Sequence, residues 1–186
     1  DDEEDEDDDN LDKQKIGILE QSSKDIIGRV EDHSIEYKET FFNNIAAKKP
    51  KCLDAQFYCL REICSFLNTN DCVLFIGVND KTRKVVGIES DRYTEIGHDK
   101  WNNEVHNALN KAFGPVNVSI HIKTSTGKSN GKTFYRFDCK KSDEPVFIEN
   151  WAYKGKSQHL FVRSNDNVRE LLGPQIVDFA RKASKK

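Results

Sequence analysis

The spacing of hydrophobic residues predicts three amphipathic helices. Apolar residues fall three or four positions apart between Asp54 and Leu67, with Asp54 as the expected N-cap. The same spacing follows Asp99, the expected cap of a second helix that Gly114-Pro115 should end. A third helix should begin at Gly173-Pro174. We interpret the apolar stripe of each helix as part of the core.

Other hydrophobic positions alternate with polar ones, and this period of two predicts β-strands. The nearly continuous apolar run from Cys72 to Val78 is typical of a strand covered on both faces, so we expect it to be the central strand. Further strands are predicted at residues 34–38, 85–88, 116–123, 133–139, 145–148 and 158–163, the last two as a hairpin-like pair. Helices between such strands predict an α+β fold, a mixed and largely antiparallel sheet with packed helices in a single lobe.

The N-terminal residues differ in character from this domain. Residues 1–12 hold ten acidic side chains and no basic one, so we expect a disordered acidic tail. Residues 13–30 contain apolar positions without a clean period, and we treat them as a leading segment without an assigned structure. The folded domain is expected over residues 31–182.

Charge and cysteine content restrict the class of function. Ten of the 32 acidic residues lie in the tail, so 22 remain against 29 basic residues, a balance of +7. This charge favours a polyanionic partner such as RNA, although it also serves solubility. The five cysteines are odd in number and lack Cys-x-x-Cys spacing, which argues against disulfides or a zinc knuckle. Without a run of about 20 apolar residues, no membrane contact is expected, and we predict an intracellular, cytoplasmic protein.

The stretch Glu31–Glu39 holds the densest candidate chemistry. If Ser34–Lys38 is a strand, Glu36 and Lys38 share its polar face. Glu31 lies five positions before Glu36, so a bend is needed to bring the two carboxylates together. A Glu-x-Lys strand with a second carboxylate upstream suits divalent-metal hydrolysis of phosphodiesters. The alternative is an ordinary solvated strand face.

Four blocks follow one another along the chain. They are Glu31-x4-Glu36-Tyr37-Lys38, then Phe66-Leu67-Asn68-Thr69, then Val73 to Asp80 with Val85 to Ile88, and finally Phe161-Val162-Arg163. In this order they resemble the Schlafen nuclease-core family, also described as the AlbA-like or divergent AAA-associated domain. The resemblance covers roughly residues 31–182.

The resemblance implies a metal-dependent endoribonuclease that cleaves RNA phosphodiesters in a tRNA-like molecule or a small-RNA precursor. The family's catalytic carboxylates correspond to Glu31, Glu36 and Asp80, which would hold Mg²⁺ or Mn²⁺. Lys38 would face the charge that develops on the phosphate. Asp71-Cys72 stands where the family usually has Gly-Gly, which puts a close backbone approach there in doubt. The zinc site of the mammalian cores finds no matching ligand cluster in this sequence.

The expected partners are RNA and a second lobe. The predicted phosphate contacts are basic residues of the later loops and strands, namely Lys48, Lys49, Lys51, Lys154, Lys156 and Arg163. Mammalian Schlafens join two lobes around RNA, whereas this chain has one, so the resemblance implies a second Schlafen-like lobe in a homo- or hetero-oligomer. The single lobe is also similar to nematode Schlafen-like subunits that cleave piRNA precursors. We expect residues 145–148 and 158–163, with Trp151 and Tyr153, to face that partner.

Two other functions stay open on the sequence. Paired Schlafen-like lobes often include one that lacks the catalytic triad, so the chain is alternatively a non-catalytic RNA-binding or assembly subunit. Glu-x-Lys alone would also suit a restriction-type DNA nuclease. His33 lies between the glutamates and is a candidate base, although single histidines near strands mostly face solvent.

Overall fold

The structure is a computed structural model that describes residues 16–43, 53–149, 151, 158–164 and 167–183. The predicted acidic tail lies outside these ranges. The described elements are, in order, a 3-10 turn at Ile18–Glu20, α1 (Ser23–Ile26), β1 (Ile35–Lys38), α2 (Leu53–Thr69), β2 (Cys72–Ile76), α3 (Thr94–Ile96), α4 (His98–His121), β3 (Ile122–Ser129), β4 (Lys132–Cys139), β5 (Leu160–Ser164), β6 (Asn167–Leu171) and α5 (Pro174–Ala183). None of the described helices is long and apolar enough to cross a membrane.

The strands form a four-stranded sheet in the order β1-β2-β4-β3 and a separate β5-β6 pair. β1 runs parallel to β2, whereas the other pairings are antiparallel. The predicted α+β fold with a mixed, largely antiparallel sheet is therefore confirmed. All five residues of β2 are buried, and its place between β1 and β4 confirms the strand as central.

The sheet has a hydrophobic cluster on each face. The larger cluster includes Leu60 of α2, Trp101 of α4 and Phe137 of β4. On the other face, Tyr37 packs with Ile26 and its phenol donates to the Ile26 carbonyl over 2.9 Å. The leading segment thus covers one face of the sheet while α2 and α4 cover the other. This arrangement leaves the polar side of β1 facing α2.

The side chain of Asn68 ties the end of α2 to two later segments. Its amide donates to the carbonyls of Val146 and Phe161 over 2.8 and 3.0 Å, and its oxygen accepts from the Val146 backbone N–H over 2.8 Å. The backbone N–H of Arg163 also donates to Thr69 over 2.9 Å. These bonds hold β5 along α2, which brings Arg163 toward β1.

The predicted strand at residues 116–123 is wrong, because α4 continues through Gly114-Pro115 to His121. Gly114 has a φ of 76° and a ψ of 151°, values outside the helical region, so α4 consists of two helical segments that meet at a kink where the sequence predicted the helix to end. Proline is preorganised for the first position of the helical turn that follows. The alternating residues Val116 and Ile120 are exposed, so their pattern did not mark a buried strand face.

The predicted hairpin-like pair of residues 145–148 with 158–163 is present only as a single antiparallel contact. These segments share an isolated bridge between Ile148 and His159, and β5 pairs instead with β6. Residues 85–88 likewise form a bridge, Val78 with Val85, in place of a hairpin arm. Asp54 and Asp99 lie within the first turns of α2 and α4, so neither is an N-cap.

Candidate active site

A turn before β1 brings Glu31 back onto the strand. Asp32 accepts hydrogen bonds from the backbone N–H and the hydroxyl of Ser34, each over 2.7 Å, and this local bonding reverses the chain. Glu31 then accepts from the backbone N–H of Tyr37 over 2.8 Å. The bend that the Glu31–Glu36 spacing requires is therefore present.

Glu36 lies at the centre of a buried chain of alternating charges. One of its carboxylate oxygens contacts the Lys38 ammonium, and the other accepts from Arg163 over 2.9 Å. Arg163 also contacts Glu62 of α2 over 3.2 Å, and Glu62 accepts from Arg61 over 2.8 Å. The side chains of Arg163 and Glu62 are only 2% and 4% exposed, so solvent screens this part of the network weakly.

Asp80 lies on the exposed turn that follows β2. The side-chain oxygen of Asn79 accepts from the backbone N–H groups of Thr82 and Lys81 over 2.6 and 3.1 Å, which shapes the turn. The Asn79 amide also donates to Glu39, so the turn is joined to the end of β1. These bonds hold Asp80 near the C-terminal end of β1.

The pKa of Glu31 responds to its surroundings. Burial raises the pKa of Glu31, the Tyr37 N–H lowers it, and the negative charges of Glu36 and Asp80 raise it further. Burial lowers the pKa of Lys38, but Glu36 and Glu62 outweigh that effect and the net pKa is raised. Lys38 therefore remains a cation beside the carboxylates.

The donor set fits a hard divalent cation in chemistry, since Mg²⁺ and Mn²⁺ prefer carboxylate oxygens. The described ranges contain no group of three His, Cys, Asp or Glu side chains close enough to hold a metal ion together. Both oxygens of Glu36 are engaged by cations, so a metal ligand role for Glu36 requires it to exchange a contact with Lys38 or Arg163.

Most of the predicted RNA contacts lie outside the described residues, namely Lys48, Lys49, Lys51, Lys154 and Lys156. Arg163 is described and is 6% exposed, with its guanidinium used inside the fold. Its contact with an RNA phosphate stays a prediction, and the contacts that the structure gives it are with Glu36 and Glu62.

The outward-facing interface expected around Trp151 is a wrong prediction for the described residues. Trp151, Ile148 and Phe161 belong to the main hydrophobic cluster, because these segments pack beneath α2 and α4. Tyr153 lies outside the described ranges. The candidate base His33 is exposed on the turn before β1.

The Asp71-Cys72 departure from the family pattern has a structural role. Asp71 accepts from the backbone N–H of Lys141 over 2.8 Å, and the buried Cys72 thiol donates to the carbonyl of His33 over 3.1 Å. Burial raises the pKa of that thiol to about 12. The pair therefore anchors the start of β2, and Cys72 is an unreactive thiol.

Three carboxylates of this region were missed by the sequence reasoning. Glu39 would face the apolar side if β1 continued, but β1 ends at Lys38 and Glu39 accepts a hydrogen bond from Asn79. Glu62 is hidden among helical residues, and Asp91 lies in an irregular turn far along the chain. One feature of the sequence distinguishes Glu62, namely that it is a carboxylate on an otherwise apolar helix face.

Comparison with known proteins places these features in a wider context. A family model described as Schlafen, AlbA_2 matches residues 31–172. The crystal structure of the DIP2311 protein from Corynebacterium diphtheriae is similar, with a TM-score of 0.50 and 15% identity over 81% of this chain and 26% of that chain. That likeness concerns the fold alone, and this chain spans about a quarter of the length of that protein. The curated proteins contain no match.

Proposed function

Because the chain belongs to the Schlafen AlbA_2 family of nuclease-like or nucleic-acid-binding proteins, we propose that it is a metal-dependent endoribonuclease lobe. It cleaves RNA phosphodiesters, in a tRNA-like molecule or a small-RNA precursor, and works with a second Schlafen-like lobe. The observation that carries the proposal is the turn that brings Glu31 back onto β1, where its carboxylate bonds to the Tyr37 N–H between Glu36 and Lys38. The negative charges of Glu36 and Asp80 raise the pKa of Glu31, and a divalent cation would relieve that repulsion.

Each residue has a proposed role in this chemistry. Glu31, Glu36 and Asp80 would hold Mg²⁺ or Mn²⁺, which when bound polarises a phosphoryl oxygen and activates water. Lys38 supplies a fixed positive charge, since its neighbours raise its pKa. A cation aimed at developing negative charge stabilises a transition state. Arg163 contacts the carboxylate oxygen of Glu36 that Lys38 does not, and so orients the carboxylate.

A second candidate function is a non-catalytic RNA-binding or assembly subunit. The observation that favours it is the pairing of Glu36 with both Lys38 and Arg163. A carboxylate neutralised by two cations is a poorer metal ligand than one that is unpaired. Lys38, whose side chain is 30% exposed, would remain able to contact an RNA phosphate.

One cleavage assay separates the two functions. Purified chain is incubated with single-stranded RNA and with DNA of equal length, in Mn²⁺ or in EDTA, first alone and then with a second Schlafen-like lobe. We expect metal-dependent cleavage of RNA that is weak alone and faster with the second lobe. Orientation can contribute about 7–11 kcal/mol to a reaction, and a second lobe would supply the opposite wall.

The outcomes are distinguished by binding and sedimentation measured on the same samples. RNA retention without cleavage in every condition would support the assembly subunit. Cleavage of DNA at the same rate as RNA would contradict the ribonuclease assignment. Full turnover by a strictly monomeric chain would remove the second lobe from the proposal.

A further inference from the structure

A cavity of about 310 Å³ opens beside the candidate active site, between the end of β1 and the first half of α2. Its lining includes Lys38, Glu39, Tyr58 and Arg61. Lys38 also contacts Glu36, so the cavity adjoins the candidate catalytic carboxylates directly. A group bound here would lie next to the site without occupying it.

Two cations face this cavity. The side chains of Lys38 and Arg61 are 30% and 33% exposed, so both are accessible to a ligand. Glu62 engages one terminal nitrogen of Arg61 over 2.8 Å, and the buried Nε has no acceptor within the described part of the chain, so the guanidinium keeps donor capacity for an anion. Glu39 is the acidic residue of the wall; it accepts from the neutral Asn79 amide and keeps its charge, so the wall holds two cations against one carboxylate. The cavity suits a phosphate better than a cation.

An aromatic ring stands beside these cations. Tyr58 is 41% exposed and is, with Leu53, one of two exposed large apolar residues of α2. The Arg61 guanidinium carbon lies 5.2 Å from the centre of the Tyr58 ring. Stacking against this arginine holds the ring in one orientation. An exposed, oriented ring next to an anion site is a platform on which a nucleobase stacks.

We propose that this cavity is a nucleotide subsite, which binds the phosphate and the base of a single-stranded RNA nucleotide adjoining the bond that is cleaved. Arg61 and Lys38 contact the phosphate, and the base stacks at Tyr58. A paired base has its faces covered by its neighbours in the duplex, so the subsite selects unpaired RNA. This inference rests on the proposed function, because it names the substrate class of the same site.

The test measures binding of a short, fluorescently labelled single-stranded RNA to the full chain in EDTA, so that cleavage does not enter. Arg61→Gln should weaken binding about tenfold and lower the salt slope by about 0.7, the value for one lost phosphate contact on a single strand. Tyr58→Leu should weaken binding about tenfold, within the range for one stacked base, whereas Tyr58→Phe should bind within about twofold of wild type.

Two controls make the result specific. Lys123→Gln removes an exposed charge from β3, away from the lining residues, and should leave binding almost unchanged. Binding of a ribose-phosphate oligomer without bases should be weakened by Arg61→Gln but not by Tyr58→Leu. Thermal unfolding of each variant confirms that it is folded.

The inference is overturned if Arg61→Gln and Tyr58→Leu bind RNA as tightly as Lys123→Gln does. It is also overturned if Tyr58→Leu weakens binding of the oligomer without bases as much as it weakens binding of RNA. In that case, metal-dependent cleavage by wild type would leave the proposed function standing. A wild-type chain that neither binds nor cleaves RNA would overturn both.

Discussion

Arg163 joins three elements through buried polar contacts. It lies on β5, bonds to Glu36 on β1 and to Glu62 on α2, and its guanidinium carbon is 5.2 Å from the centre of the Phe66 ring. Two buried carboxylates therefore share this buried cation, and each has one further, more exposed partner, Lys38 for Glu36 and Arg61 for Glu62. A buried charge that loses its partner is far more costly than one that loses a solvent contact.

Arg163→Ala is expected to lower the free energy of unfolding by about 3–5 kcal/mol, because it leaves Glu36 and Glu62 buried without that cation. Urea denaturation measures the change. Arg169→Ala removes an exposed arginine from the neighbouring strand β6 and should change stability by less than about 0.5 kcal/mol. Equal stability of the two variants would contradict the role given to Arg163.

Asp91 holds the chain that leaves β1. Its carboxylate accepts from the backbone N–H groups of Phe41, Phe42 and Asn43 over 2.7 to 3.1 Å, and it is fully buried. Burial raises the pKa of Asp91 from 3.8 to about 6, although the N–H donors lower it in part. The folded chain therefore holds this proton more tightly than the unfolded chain does.

This shift predicts a pH dependence of stability with a definite sign. The contribution of Asp91 is fully present below its unfolded pKa of 3.8 and is lost as the pH rises through about 6. The difference in unfolding free energy between wild type and Asp91→Asn should therefore shrink across that window. Urea melts at several pH values measure it, with the exposed Asp143→Asn as control. A difference that stays constant with pH would refute the assignment.

At the scale of elements, the turn after β2 decides where Asp80 lies. The Gly77 N–H donates to the Lys38 carbonyl over 2.8 Å, and the Gly77 carbonyl accepts from Val86 and Gly87 over 2.8 and 2.9 Å. Gly77 has a φ of +86°, and a Cβ there would lie 2.9 Å from the Ile88 side chain. Only glycine meets both conditions without strain.

Gly77→Ala is expected to cost at least about 1–2 kcal/mol of unfolding free energy, because alanine is strained at this φ and meets Ile88. Differential scanning calorimetry measures this loss of stability. The matched control is Gly17→Ala, where φ is −57° and no atom lies within 4 Å of the added carbon. If both variants melt as wild type does, the turn is more adaptable than its contacts indicate.

The elements that the sequence predicted well are those with an unambiguous pattern. The apolar run of β2 fits a covered strand and little else, and the mixed α+β fold followed from it. Val116 to Ile120 alternate as a strand does, yet α4 includes them because helical bonding resumes after the Gly114 kink. β6 was missed since its charged residues conceal the apolar positions Val168 and Leu171.

The candidate site was predictable only where it is local. Strand alternation placed Glu36 and Lys38 on one face, and the five-residue spacing called for the bend at Glu31. The contacts of Glu36 with Arg163 and of Glu39 with Asn79 join residues 127 and 40 positions apart. No spacing rule encodes such contacts, because they depend on how α2, β2 and β5 pack.

At the scale of the whole molecule, the fold places its charged network at one edge of the packed core. The sheet, α2 and the β5-β6 pair each supply a side chain, so the network forms only when these elements are assembled. The cavity then lies at the end of β1, beside the carboxylates and the cations of the network. Folding and the proposed chemistry are therefore linked through the same residues.

The central claim is that Glu31, Glu36 and Asp80 act together in metal-dependent cleavage of RNA. The most direct measurement is the Mn²⁺-dependent cleavage rate of single-stranded RNA by wild type and by Asp80→Asn, which alters an exposed turn residue and should fold normally. The second Schlafen-like lobe is present in every reaction, and Asp143→Asn serves as the control. We predict cleavage that stops in EDTA and falls about 100-fold or more in Asp80→Asn. Metal-independent cleavage, or Asp80→Asn cleaving at the wild-type rate in a preparation free of other ribonucleases, would contradict the claim.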